Sequence, residues 1–202
     1  MVNKYSIKAN GSLKLSNNFT VREFACKDGS DTVLIDSALV DLLQKIRNHF
    51  GKPITINSAY RNATYNKKIG GVSNSQHVYG TAADIVVQGV KPEEVAKYAE
   101  YLMPKMGGIG LYSTFTHVDV RSNRSRWKNF GREISVNGFP GYVEPKVTLA
   151  SGNDIVYELM NGQHKINISE PQKAIKALDN AKNNEEFLSL YWIIYKIVNK
   201  ER

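Results

Sequence analysis

Two histidines and an aspartate are the side chains whose types and spacing could do chemistry. His77 and Asp84 share one short stretch, Ser75-Gln76-His77-Val78-Tyr79-Gly80-Thr81-Ala82-Ala83-Asp84. A neutral imidazole and a carboxylate are both good Zn²⁺ ligands. Gly80, Thr81, Ala82 and Ala83 are small, so the backbone can pass close to an ion. The β-branched run Ile85-Val86-Val87 predicts that Asp84 begins a buried strand. A carboxylate there is costly unless it is paired or holds a metal. A third ligand, His117, comes from Thr116-His117-Val118-Asp119-Val120-Arg121, whose alternation predicts another short strand. Together His77, Asp84 and His117 would supply a catalytic zinc ion with three protein ligands and leave one position for water. Water in that position has its pKa lowered toward ~7 and becomes a nucleophile. On residue types alone, a structural histidine and an unrelated carboxylate are the favoured reading, since four histidines in 202 residues is an ordinary number. His49, at a predicted helix end, and His164, in a Gly162-Gln163-His164-Lys165 turn, read as structural.

The spacing S-x-H-x-x-G-x-A-x-D over residues 75–84, followed by His117-Val118-Asp119, resembles the zinc D-Ala-D-Ala carboxypeptidase family of peptidoglycan peptidases. Ser58-Ala59-Tyr60-Arg61, Asn66 with Gly70-Gly71, and Gly108-Ile109-Gly110-Leu111-Tyr112 fit the same pattern in the same order. The likeness covers roughly residues 16–121. It implies one Zn²⁺ on His77, Asp84 and His117, and hydrolysis of a peptide bond in peptidoglycan stem peptides or crossbridges. It also implies that Arg61 faces the substrate, where a guanidinium could stabilise a developing oxyanion; a surface ion pair is the alternative. Much of the family carries an acid shortly before the second histidine, but here those positions are Thr114, Phe115 and Thr116. A base is still required. Asp119, two residues after His117 and on the same side of a strand, is the candidate; a carboxylate that orients the histidine is the alternative. Ser75 and Gln76 flank the first ligand and could contact substrate. Tyr60, Asn66 and Tyr112 could line the cleft or belong to the core, and Cys26 reads as a small buried hydrophobe.

Several elements must position these groups. Residues 1–20 alternate weakly and suggest a hairpin, with Ser16-Asn17-Asn18 capping a turn that holds Phe19, Val21 and Phe24. Leu39, Leu42, Leu43, Ile46 and Phe50 have helical spacing, between Asp36 or Ser37 as N-cap and Gly51 as stop. A strand follows at 53–58, and a polar loop carries Arg61 to about residue 76. After the strand that Asp84 begins, Pro92 opens a helix that Gly107-Gly108 closes. Strands at 109–112 and 115–120 form a hairpin bearing His117. The fold class is α+β, a small, mostly antiparallel sheet with flanking helices and a zinc cleft. Residues 1–132 make the peptidase domain, 133–146 a Gly- and Pro-containing linker, and 147–202 a small helical unit with helices at 171–182 and 185–198, for wall binding or assembly.

The net charge of +8 and pI near 9.4 make an anionic partner plausible, such as wall polymers. Arg121, Arg124, Arg126, Lys128 and Arg132 fall within twelve residues beside Trp127 and Phe130. That stretch is a solvated face or a polyanion site. Nucleic acid would explain the charge but not the zinc ligands, and ranks last. One cysteine excludes an intrachain disulfide and a Cys-rich zinc site. The N-terminus lacks a signal-peptide core and no apolar run reaches membrane-span length. The expectation is a protein made in the cytoplasm, without a signal of its own, that acts at the bacterial wall after release, as a phage endolysin would, or in a virion. A non-catalytic zinc-containing binding module or a virion component is the rival reading.

Overall fold

The computed structural model describes residues 1–143, 147–150, 154–159 and 162–167, and the chain divides into two compact units, Met1–Tyr142 and Val143–Arg202. The first unit opens with β1 (Val2–Ser6), a one-turn α1 (Ile7–Asn10) and a 3-10 turn (Val21–Phe24). β1 does not fold back on residues 7–20 as a hairpin. It pairs antiparallel with β2 (Thr32–Asp36), because Tyr5 and Ile7 pack on the core that β2 also faces. The 3-10 turn is capped by Thr20, whose backbone N–H donates to Glu23 Oε2 at 2.6 Å, rather than by the expected Ser16-Asn17-Asn18.

The next helix, α2 (Ser37–Phe50), follows its sequence signals. The Asp36 carboxylate accepts from the Ala38 N–H at 2.8 Å, and Gly51 closes the helix in the left-handed region at φ 62°. Its apolar face, Leu39, Val40, Leu42, Leu43 and Ile46, is buried. β3 (Ile54–Ser58) comes next. The loop expected after it contains a short α3 (Ala63–Lys68), capped by Asn62 Oδ1 accepting from the Tyr65 N–H at 2.8 Å. Then come β4 (Ala82–Val87), α4 (Pro92–Leu102), β5 (Gly108–Tyr112), β6 (Thr116–Asp119), β7 (Ser125–Asn129) and β8 (Glu133–Ser135). Asp84 is thus the third residue of its strand rather than the first. α4 ends at Leu102, and Gly108 already belongs to β5.

One six-stranded sheet runs β3-β4-β6-β5-β7-β8, antiparallel throughout except for the parallel pair β5–β7. Successive strand residues face opposite sides, and the two sides here have opposite chemistry. Ala83, Ile85 and Val87 of β4, Ile109 and Leu111 of β5, and Val118 of β6 enter the apolar core. α4 packs on β5 and β6, and α2 on β4 and α4, which covers that face. Asp84, His117, Asp119, Gly108, Gly110, Tyr112 and Trp127 alternate with these residues and take the other face. The expected α+β architecture is present.

The expected linker is not free of the first unit. β8 pairs antiparallel with β7, and Phe139 is buried in the core, which carries the unit on to Tyr142. In the second unit the described residues are β9 (Val147–Ala150), β10 (Asp154–Leu159) and β11 (Gly162–Asn167), a three-stranded antiparallel sheet in the order β11-β10-β9. This part of the unit is therefore β rather than helical, and His164 lies in a strand, opposite Tyr157, rather than in a turn. The helices expected at 171–182 and 185–198 lie outside the described residues.

Candidate metal centre

Sheet register brings the groups together. Ser58 pairs with Asp84, Asp84 with His117, His117 with Gly110, and Gly110 with Trp127. Directly paired residues share a face, so this row crosses β3, β4, β6, β5 and β7 on the side away from the helices. His77 comes from the loop before β4. Two backbone features fix that loop. Gly80 holds φ 72° with no room for a Cβ, which would lie 2.4 Å from the Leu34 carbonyl oxygen. The Arg61 N–H donates to the His77 carbonyl at 3.1 Å, fastening the loop to the segment after β3.

Among the described residues, His77, Asp84 and His117 are buried and each offers one ligand atom, the three lying within 4.8 Å of one another. His77 Nε2 lies 3.3 Å from Asp84 Oδ1, and His117 Nδ1 lies 2.9 Å from the same oxygen. A tetrahedral ion with bonds of about 2.0–2.1 Å has ligand–ligand edges of about 3.3 Å, and the two separations to Asp84 are close to that edge. The outer nitrogen of each imidazole is also engaged. His77 Nδ1 is 2.7 Å from the Ala59 carbonyl, which only a protonated Nδ1 can satisfy, so Nε2 keeps the lone pair. His117 Nε2 is 3.0 Å from Asp119 Oδ2. Partners of this kind fix tautomer and ring orientation in metal-ligating histidines.

The electrostatics of the two histidines differ. Burial, the largest influence on His77, lowers its pKa and keeps it neutral, as a ligand must be. Burial would lower His117 too, but the carboxylates of Asp119 and Asp84 outweigh it and push the imidazole up to about 9. Both of its nitrogens then face carboxylate oxygens, and the proton on Nδ1 occupies the side where a cation would bind. Burial opposes the charge on Asp84, but hydrogen bonds from His117 and His77 hold its carboxyl well below the usual range.

The two arginines of the site each hold a carboxylate. Arg61 Nη2 donates to Asp84 Oδ2 at 2.7 Å and its Nε donates to Ser58 Oγ at 2.7 Å. Arg121 donates through Nε and Nη2 to the Asp119 carboxylate, at 2.5 to 3.0 Å. Asp119 also accepts from the backbone N–H groups of Gly108 and Arg121, at 3.0 and 3.1 Å. With His117 Nε2–H, five N–H groups converge on a carboxylate that is 0% exposed. The other expected contacts differ in placement. Tyr112 is on the site face, its ring stacked on Phe115 at 4.2 Å. Tyr60 packs against the core, Gln76 Oε1 accepts from Thr81 Oγ1 at 2.9 Å, and Ser75 forms the turn before His77 through its backbone. Asn66 is buried, its amide donating to the Val72 carbonyl.

Sequence reasoning missed Trp127. Its ring centroid is 5.0 Å from that of His117, its Nε1–H donates to Tyr112 Oη at 3.2 Å, and the Arg121 guanidinium lies 5.8 Å from its centroid. The available signal was the Gly110–Trp127 register, which appears only once β5 and β7 are known to run parallel. The basic stretch is largely satisfied from within. Arg124 and Arg126 share Glu100, and Arg126, buried, also donates to the carbonyls of Met103, Met106, Gly107 and Ser125.

Residues 17–119 match the family described as Peptidase M15. The chain is similar to the zinc D-Ala-D-Ala carboxypeptidase of Streptomyces albus G, with 50% identity over 52 residues, 24% of this chain and 20% of that protein. It is similar to the peptidoglycan L,D-endopeptidase MepK of Escherichia coli K12, with 32% identity over 95 residues, 43% of this chain and 51% of that protein. MepK of Shigella flexneri matches to the same extent. The chain spans about half the length or less of these curated relatives.

Proposed function

The chain belongs to the peptidase M15 family, and from that premise we propose that it is a zinc-dependent peptidase hydrolysing a peptide bond in peptidoglycan stem peptides or crossbridges. One observation carries this reading: three buried ligand atoms, from His77, Asp84 and His117, lie within 4.8 Å of one another, and the outer nitrogens of both imidazoles are occupied. His77 would hold the ion through Nε2, Asp84 through Oδ1 and His117 through Nδ1. The ion would supply Lewis acidity toward water and the scissile carbonyl.

The remaining groups serve this seat. Arg61 ties down the second oxygen of Asp84, which leaves only Oδ1 for the ion. Its Nη1 makes no hydrogen bond among the described residues and is free for a carbonyl or carboxylate oxygen of the substrate. Asp119 acts by holding His117 in place, because its lone pairs are already taken by five N–H groups. Two arginines and a dication against two carboxylates leave the site positive. That suits a peptide bearing a carboxylate, as stem peptides do.

The test is mass spectrometry of purified peptidoglycan digested by the full chain, with and without chelator, alongside H117A. New peptide fragments that vanish with chelator and with H117A support the proposal, and their masses identify the bond. Intact wall with the zinc-loaded chain, or fragments indifferent to chelator, would sink it.

A further inference from the structure

We propose that Trp127 is a positioning residue of the metal centre, a rigid side wall that fixes the ring of His117. The inference rests on the reading that His77, Asp84 and His117 hold an ion.

Gly110 lies between His117 and Trp127 in the row across the sheet. On β5 this is the site-face position, and a side chain there would separate the two neighbouring strands' residues. A Cβ at Gly110 would lie 2.4 Å from Trp127 Cε2 and 2.5 Å from Nε1. The indole therefore lies across the bare backbone of Gly110 and reaches His117, at 5.0 Å between centroids and 48° between planes. Two further contacts stop the indole from turning. Nε1–H donates to Tyr112 Oη, and Tyr112 is itself stacked on Phe115. Arg121, which clamps Asp119, lies over the indole face. His117 is thus held at Nε2 by Asp119 and along its face by Trp127. Contacts at Nε2 to Asp119 and at Nδ1 to Asp84 leave the ring free to tilt about the line through its two nitrogens, and an aromatic wall removes this freedom. Nδ1 then stays aimed at the point shared with Asp84 and His77.

The experiment measures Zn²⁺ affinity of the full chain by chelator competition, together with the visible spectrum of the Co²⁺ form. W127A should bind Zn²⁺ tenfold or more weakly, within the roughly 10–100-fold range seen when a ligand's supporting partner is lost, with altered Co²⁺ bands. W127F, which keeps an aromatic plane, should restore most of the affinity. Wild-type affinity and an unchanged Co²⁺ spectrum in W127A would overturn the inference. Should W127A not fold, G110A displaces the indole from the other side, and the same two outcomes decide. A second readout uses the two tryptophans of the chain: in a W192F background, Co²⁺ should quench the emission of Trp127 and should not do so in the added presence of H117A. Unquenched emission at saturating Co²⁺ overturns the proposal. A wild-type chain that binds neither ion refutes the metal reading itself, whereas normal wild-type binding with an indifferent W127A refutes only the role of Trp127.

Discussion

Replacing Asp119 by asparagine separates two roles for that carboxylate, a proton carrier in hydrolysis and a clamp on His117. The side chain is 0% exposed and five N–H groups converge on it. Asparagine keeps the shape but turns one acceptor oxygen into a donor. Whichever way the amide is placed, its NH₂ meets another N–H. If it replaces Oδ2, it faces His117 Nε2–H and Arg121 Nη2; if it replaces Oδ1, it faces the N–H groups of Gly108 and Arg121. Losing a charge-assisted hydrogen bond costs about 1.5–3 kcal/mol, and leaving a buried donor unpaired costs about 1–3 more. Arg121 is 30% exposed and can recover some hydration, so about 3 kcal/mol is a fair total. For a unit of this size that is about 9 °C in Tm, at roughly 2–4 °C per kcal/mol. If Asp119 is a clamp, Zn²⁺ affinity should fall with stability, by about 10–100-fold. Differential scanning fluorimetry of the metal-free chain and chelator competition give the two numbers. A D119N chain with wild-type Zn²⁺ affinity and only kcat reduced would refute the clamp and return Asp119 to the role of base.

Four other outcomes are expected. In the metal-free chain the His117 pKa is raised from its ordinary value to about 9. Its contribution to stability is therefore fully present below about pH 6.5 and disappears as pH rises through about 9, so Tm should fall across that window and the fall should be absent in H117A. Zn²⁺ at about 100 times its Kd should raise the stability of the wild-type chain by about 2.7 kcal/mol and leave H117A unchanged; equal shifts in both would place the ion elsewhere. R126A removes a buried guanidinium from Glu100 and four carbonyls, and should cost about 3–5 kcal/mol by chemical denaturation. G80A must adopt φ near 72° and press on the Leu34 carbonyl, so it should lower both Tm and Zn²⁺ affinity, since Gly80 seats the loop that carries His77.

What could be read from the sequence depended on how local the cause was. α2 was legible end to end because Asp36, its apolar stripe and Gly51 act within the helix itself. The β5–β6 hairpin was legible because Ser113-Thr114 joins two runs that pair with each other. The partner of β1 was not, because the chain passes through α1 and the 3-10 turn before β2 completes the pair. Of the described strands of the second unit, β10 and β11 left a local trace in the sequence, the Asn161-Gly162 dipeptide after the apolar run Ile155-Val156-Tyr157. The linker reading of 133–142 failed because the hold on that segment is β7 and a buried Phe139, neither visible as periodicity. Likewise the basic run 121–132 had no acid in its own window, and its partners Asp119 and Glu100 lie before it in the chain.

The proposed metal ligands drew notice for a different reason. Their residue types alone do not mark them; the motif spacing around His77, Asp84 and His117 does, and it lies in the sequence itself without any knowledge of register. The residues that orient them carry no such mark. Ser58, Gly110 and Trp127 are ordinary in type, and their roles come only from standing in one row with Asp84 and His117. Asp119 belongs to both classes. Its type and its spacing of two from His117 identify it as a partner of the site, but whether it carries a proton or holds a ring depends on how many donors surround it. Those donors come from Gly108 on the neighbouring strand and from Arg121 beyond the end of its own. A carboxylate already filled on both oxygens can accept a proton only by giving up one of these bonds in a site that water scarcely enters. That cost favours the clamp.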